Sequence, residues 1–281
     1  MTRRRNADRT GPPPPEDTGS PPPAQTGDLF SFVCPTEFVE LPSGGQLYSS
    51  DHPLHNVSTV EIKHMTAKEE DILTSETLLK RGMAIDRLIE SVLVDKTIKI
   101  DELLVGDKNA ILLATRITGF GSDYLANVTC PSCVAKVEHE FDLSDVQNKK
   151  ISLDGVRSTA NGVYLFELPT TKIALEIKLL TSSDERTISQ NNDRRKKLKL
   201  PENNTTTLLA AIMVSANGVT DSAQLLQLAE LLPVRDSMFI RKTYDALRPD
   251  VDMEHAFSCS SCGYEGGIVM PLTAEFFWPN Q

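Results

Sequence analysis

Two short cysteine pairs, Cys130-Pro131-Ser132-Cys133 and Cys259-Ser260-Ser261-Cys262, constrain this chain more than any other feature. Two residues between cysteines let a tight turn aim both sulfurs at one point. Four thiolates presented in this way suit tetrahedral zinc, with sulfur about 2.3 Å from the metal. Pro131 and Gly263 are sensible turn residues beside them. Strand-like sequence flanks the pairs, at Tyr124–Val128, Val134–Leu143 and Gly267–Thr273. Each pair therefore reads as one hairpin of a zinc ribbon, and the spacing predicts one structural zinc per chain on Cys130, Cys133, Cys259 and Cys262. Residues 134–258 lie between the pairs, which does not forbid the site because closure entropy grows only logarithmically with loop length. A redox C-x-x-C would follow a strand and open a helix, and neither pair does. Two unrelated, metal-free pairs would leave four thiols unexplained. Four thiolates leave no open coordination position, so a catalytic zinc is not expected. The fifth cysteine, Cys34, reads as a small buried residue rather than a ligand.

The rest of the chain organises around that clasp. Residues 1–27 carry Arg3, Arg4, Arg5 and Arg9 and seven of the chain's 17 prolines, with almost nothing to bury, and read as a disordered arm. Residues 28–143 read as a helical region that ends in the first zinc hairpin. Thr66-Ala67-Lys68-Glu69 has capping-box spacing and predicts a helix through Ile72 and Leu79 to Gly82. A second helix is expected on Met83, Ile85, Leu88, Ile89 and Leu93. A third, over about 107–118, has Ile111, Leu112, Leu113 and Ile117 as its buried side. The polar residues of these helices show no convergent pattern. Residues 144–250 read as an insertion: a β-hairpin, Val163–Leu168 and Ile173–Leu179, then helices from Ser182 to Leu247, with Leu208–Val214 as one apolar face. Residues 251–281 supply the second zinc hairpin and an aromatic C-terminus. The fold class is α+β: a helical N-terminal region, a split four-cysteine zinc ribbon, and an inserted β-hairpin plus helices.

Charge and motif content narrow the function. With 29 Lys and Arg against 39 Asp and Glu, the net charge is −10, and the broad positive field of a nucleic-acid binder is missing. The one internal basic run, Arg194-Arg195-Lys196-Lys197 with Lys199, lacks interleaved aromatics and reads as a solvated helix end or loop. Leu208–Val214, the longest apolar stretch, is far too short to span a bilayer, and a Pro-rich tract stands where a signal peptide needs apolar residues. A soluble, intracellular protein is the expectation. No G-x-S-x-G elbow, P-loop or dinucleotide fingerprint occurs. His139 and His255 are the histidines placed near the cysteines, where packing is the default reading. Phe276-Phe277-Trp278 ahead of Pro279 holds the chain's only Trp. Such a run is either buried against the chain's own ribbon or used to anchor a partner, and Phe276, Phe277 and Trp278 are the candidate partner-binding residues.

Several stretches together resemble the T4-like bacteriophage baseplate hub assembly family of contractile-tailed phages. They are Phe38–Leu41 with Pro42 and Gly44, Met65–Leu73, Gly106-Asp107-Lys108-Asn109, Arg116-Ile117 and Val128–Cys133. Leu168-Pro169, Asp236-Ser237 with Arg241, and Cys259–Gly263 ahead of Phe276–Pro279 complete the set. The similarity spans roughly residues 35–280 and leaves the first 27 unexplained. It implies a non-enzymatic role, as a baseplate hub component or as an assembly chaperone. The implied partners are other phage tail or hub proteins, self-association being compatible with such a role. The implied locations are the host cytoplasm during assembly and the virion tail baseplate. From a different class, a zinc-ribbon nucleic-acid-binding protein using the basic run is the alternative.

Overall fold

In the computed structural model, which describes residues 34–271 and 274–277 except 153 and 161, a single helix organises the packing. This helix, α4 (Val105–Phe120), exposes no residue between Val105 and Thr118. The expected one-sided helix is thus a central one, covered over most of its surface. Before it come β1 (Thr36–Glu40), β2 (Thr59–Lys63), α1 (Ala67–Thr74), α2 (Glu76–Lys80) and α3 (Ala84–Val92). After it come the hairpin β3 (Asp123–Thr129) and β4 (Lys136–Asp142) and the strands β5 (Arg157–Ala160), β6 (Val163–Glu167) and β7 (Ala174–Lys178). Then follow α5 (Ser182–Lys197), α6 (Asn204–Ile212), β8 (Met213–Ala216), α7 (Ser222–Leu231), α8 (Val234–Leu247), β9 (Glu254–Ser258) and β10 (Glu265–Val269). A final 3-10 turn covers Ala274–Phe277. From Pro35 onward the described residues form one compact unit, and the α+β class holds.

Local chemistry accounts for the breaks. The single helix expected from Thr66 to Gly82 is two, α1 and α2, because Ser75 adopts an extended conformation between them. At the start of α1 the Thr66 N–H and hydroxyl both donate to the Glu69 carboxylate, at 2.9 and 2.5 Å. Gly106 is required for close approach: a Cβ there would overlap the Pro249 carbonyl, so α4 lies directly against the 249–250 backbone.

Among the described residues the sheets are antiparallel: three two-stranded ones and one four-stranded sheet in the order β5-β6-β7-β8. Strand β8 corrects the helical reading of Leu208–Val214. Helix α6 stops at Ile212, and Met213 to Ala216 pair with β7 instead. The Asn217-Gly218 pair, both at positive φ, turns the chain back so that Ala216 bridges Val219. One apolar cluster joins the elements, running from Ile62, Leu88 and Ile111 through Tyr124, Phe141 and Ile177 to Cys130, Cys259 and Phe277.

Three buried polar side chains, Asp107, Arg116 and Asp236, fasten this core at separate points. Asp107 accepts from the Ser43 N–H, the Ser43 hydroxyl and the Tyr48 hydroxyl at 2.9, 2.6 and 2.7 Å. Burial pushes its carboxyl pKa upward against those bonds. Arg116 donates to three carbonyls, those of Phe276, Gly121 and Asp123, at 2.7, 2.9 and 3.1 Å. Asp236, at the start of α8, accepts from the N–H groups of Thr170 and Thr171 at 2.8 and 2.9 Å and so holds the β6–β7 turn. A partly buried network adds a fourth tie: Lys108 of α4 and Arg186 of α5 both pair with Asp86 of α3, and Arg186 also reaches Asp101.

Candidate metal centre

The two cysteine turns are built alike. Hairpin β3–β4 closes on the pair Thr129–Lys136, and β9–β10 closes on Ser258–Glu265. Each encloses six residues that begin with a cysteine. In the first turn the Cys130 N–H donates to the Ala135 carbonyl and the Val134 N–H donates to the Cys130 carbonyl, at 2.9 and 3.0 Å. In the second the Cys259 N–H donates to Tyr264 and the Gly263 N–H to Cys259, at 2.8 and 2.9 Å. Both turns place the residue after their second cysteine at positive φ, 61° for Val134 and 71° for Gly263. The first cysteine of each turn is buried and the second exposed.

The turns face one another. All four sulfurs lie within 4.8 Å of each other, with Cys130–Cys262 and Cys133–Cys259 each at 3.8 Å. A regular tetrahedron with metal–sulfur bonds of about 2.3 Å has edges of about 3.8 Å, so the donor set fits a tetrahedral soft cation. The neighbouring thiols also perturb one another's ionisation. Burial opposes ionisation of Cys259, but N–H groups of Cys262 and Ser261 and the neighbouring thiols bring it down to about 7. At Cys133 the Ala135 N–H favours the thiolate, yet hydrogen bonding with Cys262, burial, and contacts with Cys130 and Cys259 push it up to about 12. Four sulfurs this close need a cation to share their charge when ionised.

Between the hairpins, His139 and Phe141 of β4 meet Phe257 and His255 of β9. His139 lies 5.3 Å edge-on from Phe257, and Phe141 lies 5.2 Å edge-on from His255. These rings pack the ribbon, and neither histidine belongs to the four-ligand cluster. Cys34 is outside that cluster too and is partly exposed rather than buried.

Of the two readings of the aromatic C-terminus, burial against the chain's own fold is the one the structure shows for Phe276 and Phe277. Phe276 and Phe277 are 1% and 0% exposed. Phe276 stacks edge-on against Tyr124 at 5.0 Å and Phe277 against Phe120 at 6.4 Å, while Arg116 grips the Phe276 carbonyl. Side chains enclosed in this way have no surface to give a partner, and Phe276 and Phe277 are core residues. Trp278 lies outside the described residues. The basic run forms the last turn of α5, where cations offset the negative end of the helix dipole. Asp107, Arg116 and Asp236 were not found as anchors from the sequence, although each sits in a stretch that carries the family resemblance.

A family model described as T4 bacteriophage base plate protein matches residues 35–278 of the chain. No curated protein and no solved structure matches it.

Proposed function

Because the chain belongs to the T4 bacteriophage base plate protein family, we propose that it builds the baseplate hub of a contractile tail, as a component or an assembly factor. It acts by binding other tail proteins, and a structural zinc on Cys130, Cys133, Cys259 and Cys262 closes its fold. The observation that carries this reading is the four-sulfur cluster within a chain matched to that family over residues 35–278. The zinc ties the β3–β4 hairpin to β9–β10 across residues 134–258, so the metal acts as a clasp on a large fold. In small zinc modules such binding supplies roughly 10 kcal/mol of folding free energy. The family is a structural one, which supports a non-enzymatic role. No helix among the described residues is long and apolar enough to cross a membrane.

The nucleic-acid alternative gains nothing from the site. Among the described residues no aromatic side chain lines the groove beside Arg194 and Arg195 to stack a base, and Arg195 spends two donors on the Pro201 carbonyl. The test is genetic and biochemical together. Phage lacking this chain should accumulate baseplate intermediates without a completed hub. Wild-type chain should restore them, and Cys130→Ser or Cys259→Ser should not. Normal baseplates made without the chain would sink the reading.

A further inference from the structure

The helical layer formed by α5, α6 and α7 leaves one groove that the fold does not use. It has a volume of about 730 Å³. Ala210 and Ala211 of α6 line it with small side chains. Leu198, Leu200 and Leu226 also line it, and they are 59%, 46% and 46% exposed. Three leucines left in water around one groove are an unfavourable surface unless something covers them. Arg194 and Arg195 stand on its rim, and Lys197 and Lys199 adjoin them, exposed. Among the described residues Arg194, Lys197 and Lys199 form no ion pair. Asp184, which also lines the groove, is neutralised by Lys178 at 2.8 Å. A bare cationic rim on a chain of net charge −10 is a local reversal of sign. Together the two features describe a partner: apolar anchors for the leucines, carboxylates for the rim.

We propose that the α5–α6–α7 groove docks an acidic amphipathic helix of another baseplate protein, with leucine-sized side chains inserted against Leu198, Leu200 and Leu226 and acidic residues facing Arg194, Lys197 and Lys199. This rests on the baseplate reading above and supplies it with a surface. Helix-in-groove recognition uses apolar anchors at i, i+3, i+4 and i+7, and the alanines let such a helix approach closely. The chain's own residues 1–27 do not suit the groove: they hold no leucine, isoleucine, valine or phenylalanine to meet its leucines, and four arginines against Asp8, Glu16 and Asp17 leave them slightly cationic, like the rim. Nucleic acid suits it less well than a protein helix, since no aromatic residue among the described ones lines it.

The test uses the full zinc-loaded chain and a labelled designed peptide of about 18 residues, five helical turns, with leucines on one face and glutamates beside them. A control peptide has the same composition with its leucines scattered round the helix. Fluorescence anisotropy should show the amphipathic peptide binding at least about tenfold tighter than the control. Arg194→Glu/Lys197→Glu/Lys199→Glu should weaken it at least about tenfold at 0.1 M salt. That loss should shrink towards 1 M salt as the screening length falls from about 10 to 3 Å. Leu226→Ser, on a different helix from the cations, should weaken it at both salts, with circular dichroism confirming the fold. Equal binding of both peptides, wild-type binding by these variants, or tighter binding of a single-stranded DNA oligonucleotide overturns the proposal. A second arm separates the two readings. If the charge-reversed chain enters phage baseplates as well as wild type, the groove proposal fails and the baseplate reading stands. If wild-type chain neither enters baseplates nor is needed for them, the baseplate reading fails.

Discussion

Val134 holds a φ of 61° with a β-branched side chain that is 73% exposed, a conformation such residues rarely adopt. The matching position of the other cysteine turn is Gly263, at 71°. The two turns otherwise share their hydrogen bonds, so the valine bears a strain that the glycine avoids. Val134→Gly should stabilise the zinc-loaded protein by up to about 1 kcal/mol, the relief of strain exceeding the added freedom of the unfolded chain. Gly263→Val should destabilise it by about 1–3 kcal/mol, both read from urea unfolding at saturating zinc. Glu69 offers a pH test at the same scale. Burial opposes its ionisation, but Lys63, Ser91 and Thr66 hold its pKa down at about 2 against an ordinary 4.5. A depressed carboxyl stabilises the fold in full above about pH 4.5 and loses that contribution as the pH falls towards 2. The contribution is on the order of 3 kcal/mol. Glu69→Gln should therefore lower stability at pH 7 and flatten its decline between pH 4.5 and 2. Comparing variant with wild type at each pH cancels the loss of zinc that acid also causes. A parallel pH dependence in the two proteins would contradict the assignment.

Between elements, the strongest ties are polar groups in an apolar setting. Arg116 links α4 to the start of β3 and to the terminal 3-10 turn through three carbonyls. Its removal leaves the buried Phe276 carbonyl without this donor, at a cost of about 1–3 kcal/mol, while the exposed Gly121 and Asp123 can turn to water. Arg116→Met should therefore lose about 1–3 kcal/mol in denaturant unfolding. Arg116→Lys should recover little of it, because an ammonium cannot reproduce the planar fork. Full stability in the lysine variant would show that charge alone matters there. These ties also explain what could be read from the sequence. The cysteine hairpins were legible because a two-residue spacing within strand-like sequence has few other uses, and the capping box at Thr66 because its partner is three residues away. Strand β8 was hidden: Leu208–Val214 is uniformly apolar, and the switch from helix to strand after Ile212 carries no Gly or Pro to mark it. Asp107, Arg116 and Asp236 were hidden for another reason. Their partners, Ser43, Phe276 and Thr170, lie 64, 160 and 66 residues away, and spacing rules read only near neighbours.

For the whole molecule, the four-cysteine cluster joins a hairpin in the middle of the chain to the C-terminal hairpin. The β3–β4 and β9–β10 hairpins share the four sulfurs and an aromatic seam, while residues 144–250 form the sheet and helices between them. Chelation should release β9–β10 first, seen as proteolysis within residues 251–271 and a lowered Tm, before the α4-centred core unfolds. The central claim, a baseplate protein clasped by one structural zinc, is tested most directly by native mass spectrometry of the full chain purified without added metal. The account predicts one zinc per chain, lost in Cys130→Ser and Cys259→Ser. A folded chain that carries no metal even when zinc is supplied, or one whose zinc survives both substitutions, would contradict it.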